Sequence, residues 1–163
     1  LIGGVDTTQS QLAHAIRLLA EHPDQWAALH ADPSLAAGAV EEALRFEPIT
    51  PFTARIVVED MEVRDVAFPA GTVVLVAACT ANRDGLDDPD RFDITRTDGG
   101  RLTTFGAGIH YCLGANLARA ELQEGLSFLA AHIECLELDG DPVYGGVTGI
   151  YGLDRLPIRF VAA

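Results

Sequence analysis

Leu12, Ala15, Ile16, Leu19 and Ala20 recur at helical spacing. That period predicts a helix running to about Glu21. Pro23 then starts a short helix through His30, and Pro33 opens a third one over Ser34 to Phe46. The third helix must stop before Pro48, because the residue ahead of a proline is driven out of helical angles. The pattern next changes to β-branched runs: strands are predicted at about Thr53 to Val58, Glu62 to Val66 and Thr72 to Ala78, with turns at Glu59-Asp60 and Pro69-Ala-Gly71. Asn82 to Thr97, with five Asp and one Pro, reads as irregular coil. A glycine-rich loop leads into a helix over Ala115 to Ala131. From Ile133 the tail is strand-like with glycine-rich turns, ending in Leu156-Pro-Ile-Arg-Phe160. No repeat or low-complexity tract interrupts this order, which describes a mainly α chain with small β-sheets, an α+β class.

Composition narrows the function classes. A chain of 163 residues can bury a core of its own, since a domain of this size hides about two-thirds of its unfolded surface. The formal charge is -13, from 11 basic residues, all Arg, against 24 acidic ones. Such a balance argues against nucleic acid or an anionic membrane as partner. The longest apolar run, Val73 to Cys79, is far short of the roughly 20 residues that a membrane span needs. No signal sequence is visible, and three cysteines without pairing signals fit a reducing cytoplasm. Arg-only basic usage beside abundant Ala, Gly and Val points to a GC-rich bacterial genome.

The segment Phe105-Gly-Ala-Gly-Ile-His-Tyr-Cys-Leu-Gly114 carries the clearest chemical signal. Gly106, Gly108 and Gly114 let the backbone take turns closed to other residues and approach a flat ligand closely. The helix starting near Ala115 points its amide N–H groups back at the loop, and amides aimed at a sulfur favour the thiolate, which binds metal. Zinc would need three or four Cys or His ligands at short spacing. Cys79 and Cys135 are far along the chain, and no Cys-x-x-Cys occurs. A nucleophilic cysteine needs a His base with an orienting partner, and His110, two residues away on the same loop, is poorly placed for that work. A plain buried cysteine would not need three glycines and a Phe around it.

At this point the loop resembles one family, the cytochrome P450 haem-thiolate monooxygenases, whose haem loop reads Phe-x-x-Gly-x-x-x-Cys-x-Gly. Phe105, Gly108, Cys112 and Gly114 fill every fixed position. The resemblance implies that Cys112 is the axial ligand of the iron of haem b, iron protoporphyrin IX, that Phe105 packs beside the thiolate, and that His110 reaches a haem propionate. It also implies the family's thiolate push, which favours O–O cleavage.

Three further motifs carry the same resemblance. Gly3-Gly-Val-Asp-Thr-Thr8 puts two helix-weakening glycines, at about 1 kcal/mol each, beside an acid-alcohol pair. Read alone it is equally a helix N-terminus capped by Asp6 or Thr7. In the family it is the distal helix, where the pair opens the helical ladder, Asp6 and Thr7 deliver protons, and Gly3 and Gly4 leave room for O2 and substrate. Glu42 and Arg45 sit at i, i+3 on the third helix, a spacing that more often decorates a surface. In the family the pair is buried and meets an arginine from the later coil, to which Arg91 corresponds; Glu42, Arg45 and Arg91 are therefore expected to be structural. Arg55, in the β-branched run Phe52 to Val58, stands where a half-buried strand would hold it. By resemblance it binds a propionate as a guanidinium pairs with a carboxylate, although a strand arginine is more often a solvated edge residue.

The resemblance implies a monooxygenase that inserts one atom of O2 into a hydrophobic small molecule, with electrons from a ferredoxin and its ferredoxin reductase. Ile49, Thr50, Pro51 and Phe52, with Gly149 and Ile150, would touch substrate, and Arg119 is either a docking contact for the ferredoxin or an ordinary surface arginine. A peroxide-using relative and a non-catalytic remnant remain open as alternatives. The family's proteins are longer, and the chain starts with Leu1 inside the distal helix. Residues 1–163 are therefore expected to be the C-terminal part of a cytochrome P450 domain without its N-terminal part, as a piece of a longer protein or a truncated product.

Overall fold

In the computed structural model, which describes residues 2–146 and 149–163, three helices supply most of the core. Helix α1 spans Ile2–Glu21, α2 Pro23–Ala31, α3 Ala36–Phe46 and α5 Ala115–His132, with a four-residue helix α4 at Ala78–Ala81. Leu1, expected inside α1, lies outside the described residues. Helices α1, α3 and α5 pack on one another, through Ala15, Leu18 and Leu19, through Ala39, Val40 and Ala43, and through Leu122, Leu126 and Ala130. The alanines bring the helices close. Gly125 brings α5 still closer, since a Cβ there would stand 3.3 Å from the Leu12 side chain. Helix α2 adds Trp26 and Leu29, and the Trp26 indole donates to the Glu134 carbonyl at 3.2 Å.

The helix boundaries follow the local chemistry. Pro23 occupies the first turn of α2, where a missing N–H costs nothing. The third helix begins later than the pattern predicts: Pro33–Leu35 form one turn of 3-10 helix, and the Asp32 side chain accepts from Ser34 N–H at 3.0 Å. Its end is as expected, at Glu47 ahead of Pro48.

The strands form four antiparallel pairs among the described residues. β1 (Phe52–Ile56) pairs with β4 (Val73–Ala77), β2 (Met61–Val63) with β3 (Val66–Phe68), β5 (Ile133–Leu138) with β8 (Ile158–Ala162), and β6 (Val143–Tyr144) with β7 (Leu153–Arg155). The single strand expected over Glu62 to Val66 is instead a hairpin. Arg64 and Asp65 turn it with φ of 48° and 65°, the positive angles that a two-residue loop requires at both central positions. Helix α4 falls on the expected strand end, Ala78, and on three residues with no expected element; four residues are too few to show a period. Strand β1 was expected to be half-buried, but every one of its residues is exposed.

A buried carboxylate ties α3 to the coil before the glycine-rich loop. Glu42 accepts from Arg45 Nε at 2.6 Å and Nη2 at 2.8 Å, and from the Asp93 amide at 2.9 Å. The third cation is not Arg91. Its guanidinium is 61% exposed and faces Asp93, while Arg96, 8% exposed, brings Nε to 3.5 Å from Glu42. Arg91 contributes only its carbonyl, which accepts from Arg45 and Arg96. Arg96 also donates to the carbonyls of Asp87 and Asp88, both at 2.9 Å, and so gathers the Asp-rich coil around one side chain.

Loss of one member of a buried ion cluster leaves the others desolvated and unpaired. Arg96→Ala is therefore expected to cost about 3 kcal/mol or more in urea unfolding, whereas Arg91→Ala should stay within about 0.5 kcal/mol. Equal effects for the two would show that Arg91 does take part.

Candidate functional site

The glycine-rich loop is shaped by two backbone turns. Gly106, at φ 73°, donates its amide to the Thr103 carbonyl at 2.8 Å, and Gly108 follows at φ 66°. These angles are strained for a residue with a Cβ. Gly114 has an ordinary φ of -87°, which corrects the expectation that all three glycines are needed for their angles. The Cys112 amide then donates to the Phe105 carbonyl at 2.9 Å and closes the loop, so that Cys112 is tied to Phe105. The Cys112 carbonyl accepts from the Ala115 amide at 3.3 Å, where α5 starts, three residues after the cysteine. Cys112 itself is exposed, as are Ile109, Leu113 and Leu117 around it.

What holds this loop was only partly anticipated. Arg119 was read as a docking contact, but the structure commits it inward. Its guanidinium donates to Glu41 of α3 at 2.5 and 3.2 Å and lies 4.6 Å over the Phe105 ring. From the other side, the buried Asn82 accepts from the Thr103 amide and hydroxyl, both at 2.8 Å, and donates to Thr104 Oγ1 at 2.8 Å. Thr104 in turn donates to the Leu44 carbonyl at 2.8 Å. Both ends of the loop are thus pinned to α3.

The family model for cytochrome P450 matches residues 1–134. The chain belongs to the cytochrome P450 family. It is 44% identical over its whole length to luteothin monooxygenase of Streptomyces thioluteus, and 43% identical over 98% of its length to the cytochrome P450 monooxygenase PikC of Streptomyces venezuelae. It spans 41% and 40% of the lengths of those relatives. In three dimensions it superposes on the cytochrome P450 CYP109Q5 of Chondromyces apiculatus with a TM-score of 0.92 at 38% identity, covering 99% of this chain and 42% of that one. The matched part is the C-terminal part of the P450 fold, with its helices and small antiparallel sheets.

The remaining predicted site residues of this P450 chain fall into two groups. On α1, the helix already begins at Ile2, so neither Asp6 nor Thr7 caps it. Nor is the ladder opened there: the helix runs through the motif, and the Thr7 hydroxyl donates to the Gly3 carbonyl at 2.7 Å, adding a bond within it. Asp6, Gly3 and Gly4 are exposed. On β1, Arg55 is exposed and donates to the Ala54 carbonyl at 2.9 Å; His110 is exposed on a 3-10 turn, Gly108–His110.

The two predicted substrate segments do meet. The Tyr151 amide donates to the Ile49 carbonyl at 2.6 Å, which sets Gly149 and Ile150 beside Ile49 to Phe52. Gln11 of α1, buried and missed by sequence reasoning, accepts from the Ile49 amide at 3.2 Å and donates to the Glu47 carbonyl at 3.2 Å. Ile49 is buried, Thr50 and Pro51 are half-buried, and Phe52 is exposed. A cavity of about 420 Å³ adjoins Pro51, Phe52 and Tyr151, together with Cys79 and Arg83. Neither Asp6, Thr7 nor Cys112 lines it, so it is not where those residues would meet a substrate.

Next to this junction lies a second charged cluster. Glu47 pairs with Arg17, which also pairs with Glu21, and Glu47 Oε1 is 3.1 Å from His14 Nδ1. Burial alone would push the Glu47 carboxyl up, but the His14 ring and the Arg17 and Arg83 guanidiniums outweigh it and hold the group below the usual glutamate range. A carboxyl depressed in the folded state stabilises the fold above its unfolded value and loses that contribution as pH falls through the folded one. In urea unfolding followed across an acid titration, Glu47→Gln should start less stable than wild type at neutral pH and converge with it in acid. Parallel curves would contradict the assignment.

Proposed function

We propose that this P450 is a haem-thiolate monooxygenase that inserts one atom of O2 into a hydrophobic small molecule while the other leaves as water. The observation that carries the reading is the closed loop in which the Phe105 carbonyl holds the Cys112 amide and leaves the sulfur exposed ahead of α5.

The residues fit a haem on their chemistry. Among the described residues, no three His, Cys, Asp or Glu side chains gather as ligands of a bare ion, so a metal at Cys112 would come with its other ligands supplied by a macrocycle. A Cβ at Gly3, Gly4 or Gly114 would meet nothing within 4 Å in this chain, which leaves space for a flat group. Leu113 and Leu117 present exposed apolar surface near the sulfur, suited to covering a porphyrin. When bound, haem b would supply the O–O cleavage and oxygen insertion, with electron density from a cysteine thiolate.

The chain's own residues then have distinct tasks. Cys112 Sγ would hold the iron, Phe105 would shield the sulfur, and His110 with Arg55 would hold the propionates by charge-assisted hydrogen bonds. The exposed Asp6 carboxylate exchanges protons with solvent. Thr7 Oγ1, whose hydrogen is held by the Gly3 carbonyl, keeps lone pairs free to accept a hydrogen bond, and it passes its proton on once the hydroxyl turns away from that carbonyl and is reprotonated from the solvent side. Ile49 to Phe52 and Gly149 with Ile150 form the apolar contacts that choose the substrate. Electrons come from a ferredoxin and ferredoxin reductase. A cytoplasmic setting fits three cysteines without pairing signals.

Two variants test the reading. Reduced under carbon monoxide, the haem-loaded protein should give the red-shifted Soret band of thiolate ligation, and Cys112→Ala should lose it. An unchanged band in that variant would refute the ligand assignment. Thr7→Ala should keep the band and go on consuming reductant, but form less product per electron pair by an order of magnitude or more. An undiminished yield would favour a peroxide-driven reaction instead.

A further inference from the structure

Thr7, Gln11 and His14 follow one another at i+4 and i+3 and so share one face of α1. The site reading uses the first, and backbone bonding explains the second. His14 is left over, and it is completely buried, at 0% exposure. Its ring lies 5.3 Å from that of Tyr151 and 6.2 Å from that of Tyr144, and the two tyrosines stack on each other at 5.2 Å with planes 4° apart. Its Nδ1 stands 3.1 Å from Glu47 Oε1. Neither ring nitrogen completes a hydrogen bond of good geometry among the described residues.

That is an expensive way to fill a core position. A buried polar group without a full partner costs about 1–3 kcal/mol, and an apolar ring of the same size would avoid the cost. Packing is already secured on this helix by Ala15, Leu18 and Leu19. What the imidazole does that a phenyl ring cannot is to meet a carboxylate on one edge and two tyrosine rings around it. Those partners are not arbitrary. Glu47 immediately precedes Pro48 and the Ile49 to Phe52 segment, and Tyr151 immediately follows Gly149 and Ile150. The Tyr151 amide also bonds the Ile49 carbonyl at 2.6 Å. From α1, His14 thus touches one residue close to each of the two segments assigned to the substrate, Glu47 before the first and Tyr151 after the second, one turn from Gln11, which bonds the Ile49 amide directly.

We propose that His14 is a positioning residue for substrate selection, holding Glu47 and Tyr151 in register so that the Gly149-Ile150 turn and the Ile49 to Phe52 segment stay at a fixed spacing from α1. It acts through those two partners and does not touch the substrate. This rests on the monooxygenase reading above, because the two segments select a substrate only if that reading holds.

The test compares two azoles that bind the haem iron: imidazole, which is small, and clotrimazole, which fills the space beyond it. Binding to the haem-loaded protein is followed by the Soret shift, alongside the carbon monoxide band. His14→Phe should keep the thiolate band and bind imidazole within about twofold of wild type, while its Kd for clotrimazole changes about fivefold or more. His14→Gln, which keeps a polar head for Glu47, should fall nearer to wild type than His14→Phe. Glu47→Gln keeps the shape of the partner and should move the ratio of the two Kd values in the same direction. It decides the matter if His14→Phe does not load haem. An unchanged ratio, or equal weakening of both azoles, overturns the positioning role with the thiolate band intact. A wild-type protein without the thiolate band overturns the monooxygenase reading and this inference with it.

Discussion

One carboxylate holds the described structure in register. Glu42, buried on α3, takes two hydrogen bonds from Arg45 and one from the Asp93 amide, with Arg96 closing the group. A charge at that depth is tolerable only because donors surround it. In return it fixes where an otherwise irregular coil must run. The coil from Asn82 to Thr97 has no ladder of its own, and Arg96 gathers its carbonyls. Apolar packing alone would leave such a segment free to slide.

Function depends on that register because the cysteine loop is built on the same helix. Asn82, at the start of the coil, and Thr104, at the entry to the loop, both reach the Leu44 carbonyl on α3. Arg119, on the far side of Cys112, reaches Glu41 one residue before Glu42. The sulfur is therefore aimed by a scaffold, and the loop needs only two strained glycine angles and one backbone bond to present it. At the C-terminal end of α3 the Glu47 cluster does similar work for the segments proposed to contact substrate. One helix thus ties the two halves of the site together, with polar contacts deciding the geometry and alanines setting the spacing.

Much of this was legible in the residues. The helices announced themselves because their periods are long and prolines mark their edges, and the cysteine loop did so because its glycines and sulfur have few other uses. The β2–β3 hairpin was hidden because Arg64-Asp65 lacks the Asn-Gly signal for positive φ. Arg96 could not be separated from Arg91, since spacing within an irregular coil does not say which side chain folds back. Arg119 looked like a surface cation because its partner, Glu41, lies far away in sequence. Gln11 and His14 left no trace, because both fall outside the Leu12, Ala15, Ile16 and Leu19 stripe and read as part of the polar side of the helix with Ser10 and Arg17; their burial comes from tertiary neighbours. The exposed β1 and the exposed Cys112 face follow from tertiary neighbours, which no local pattern contains.

The central claim is that Cys112 delivers its sulfur to a haem iron, and X-ray absorption at the iron edge reads that bond directly. In the haem-loaded protein the account predicts a single sulfur neighbour to iron, retained in Cys79→Ser and Cys135→Ser and lost in Cys112→Ser. A spectrum with only light neighbours in the wild-type protein, or a sulfur that survives Cys112→Ser, would contradict it.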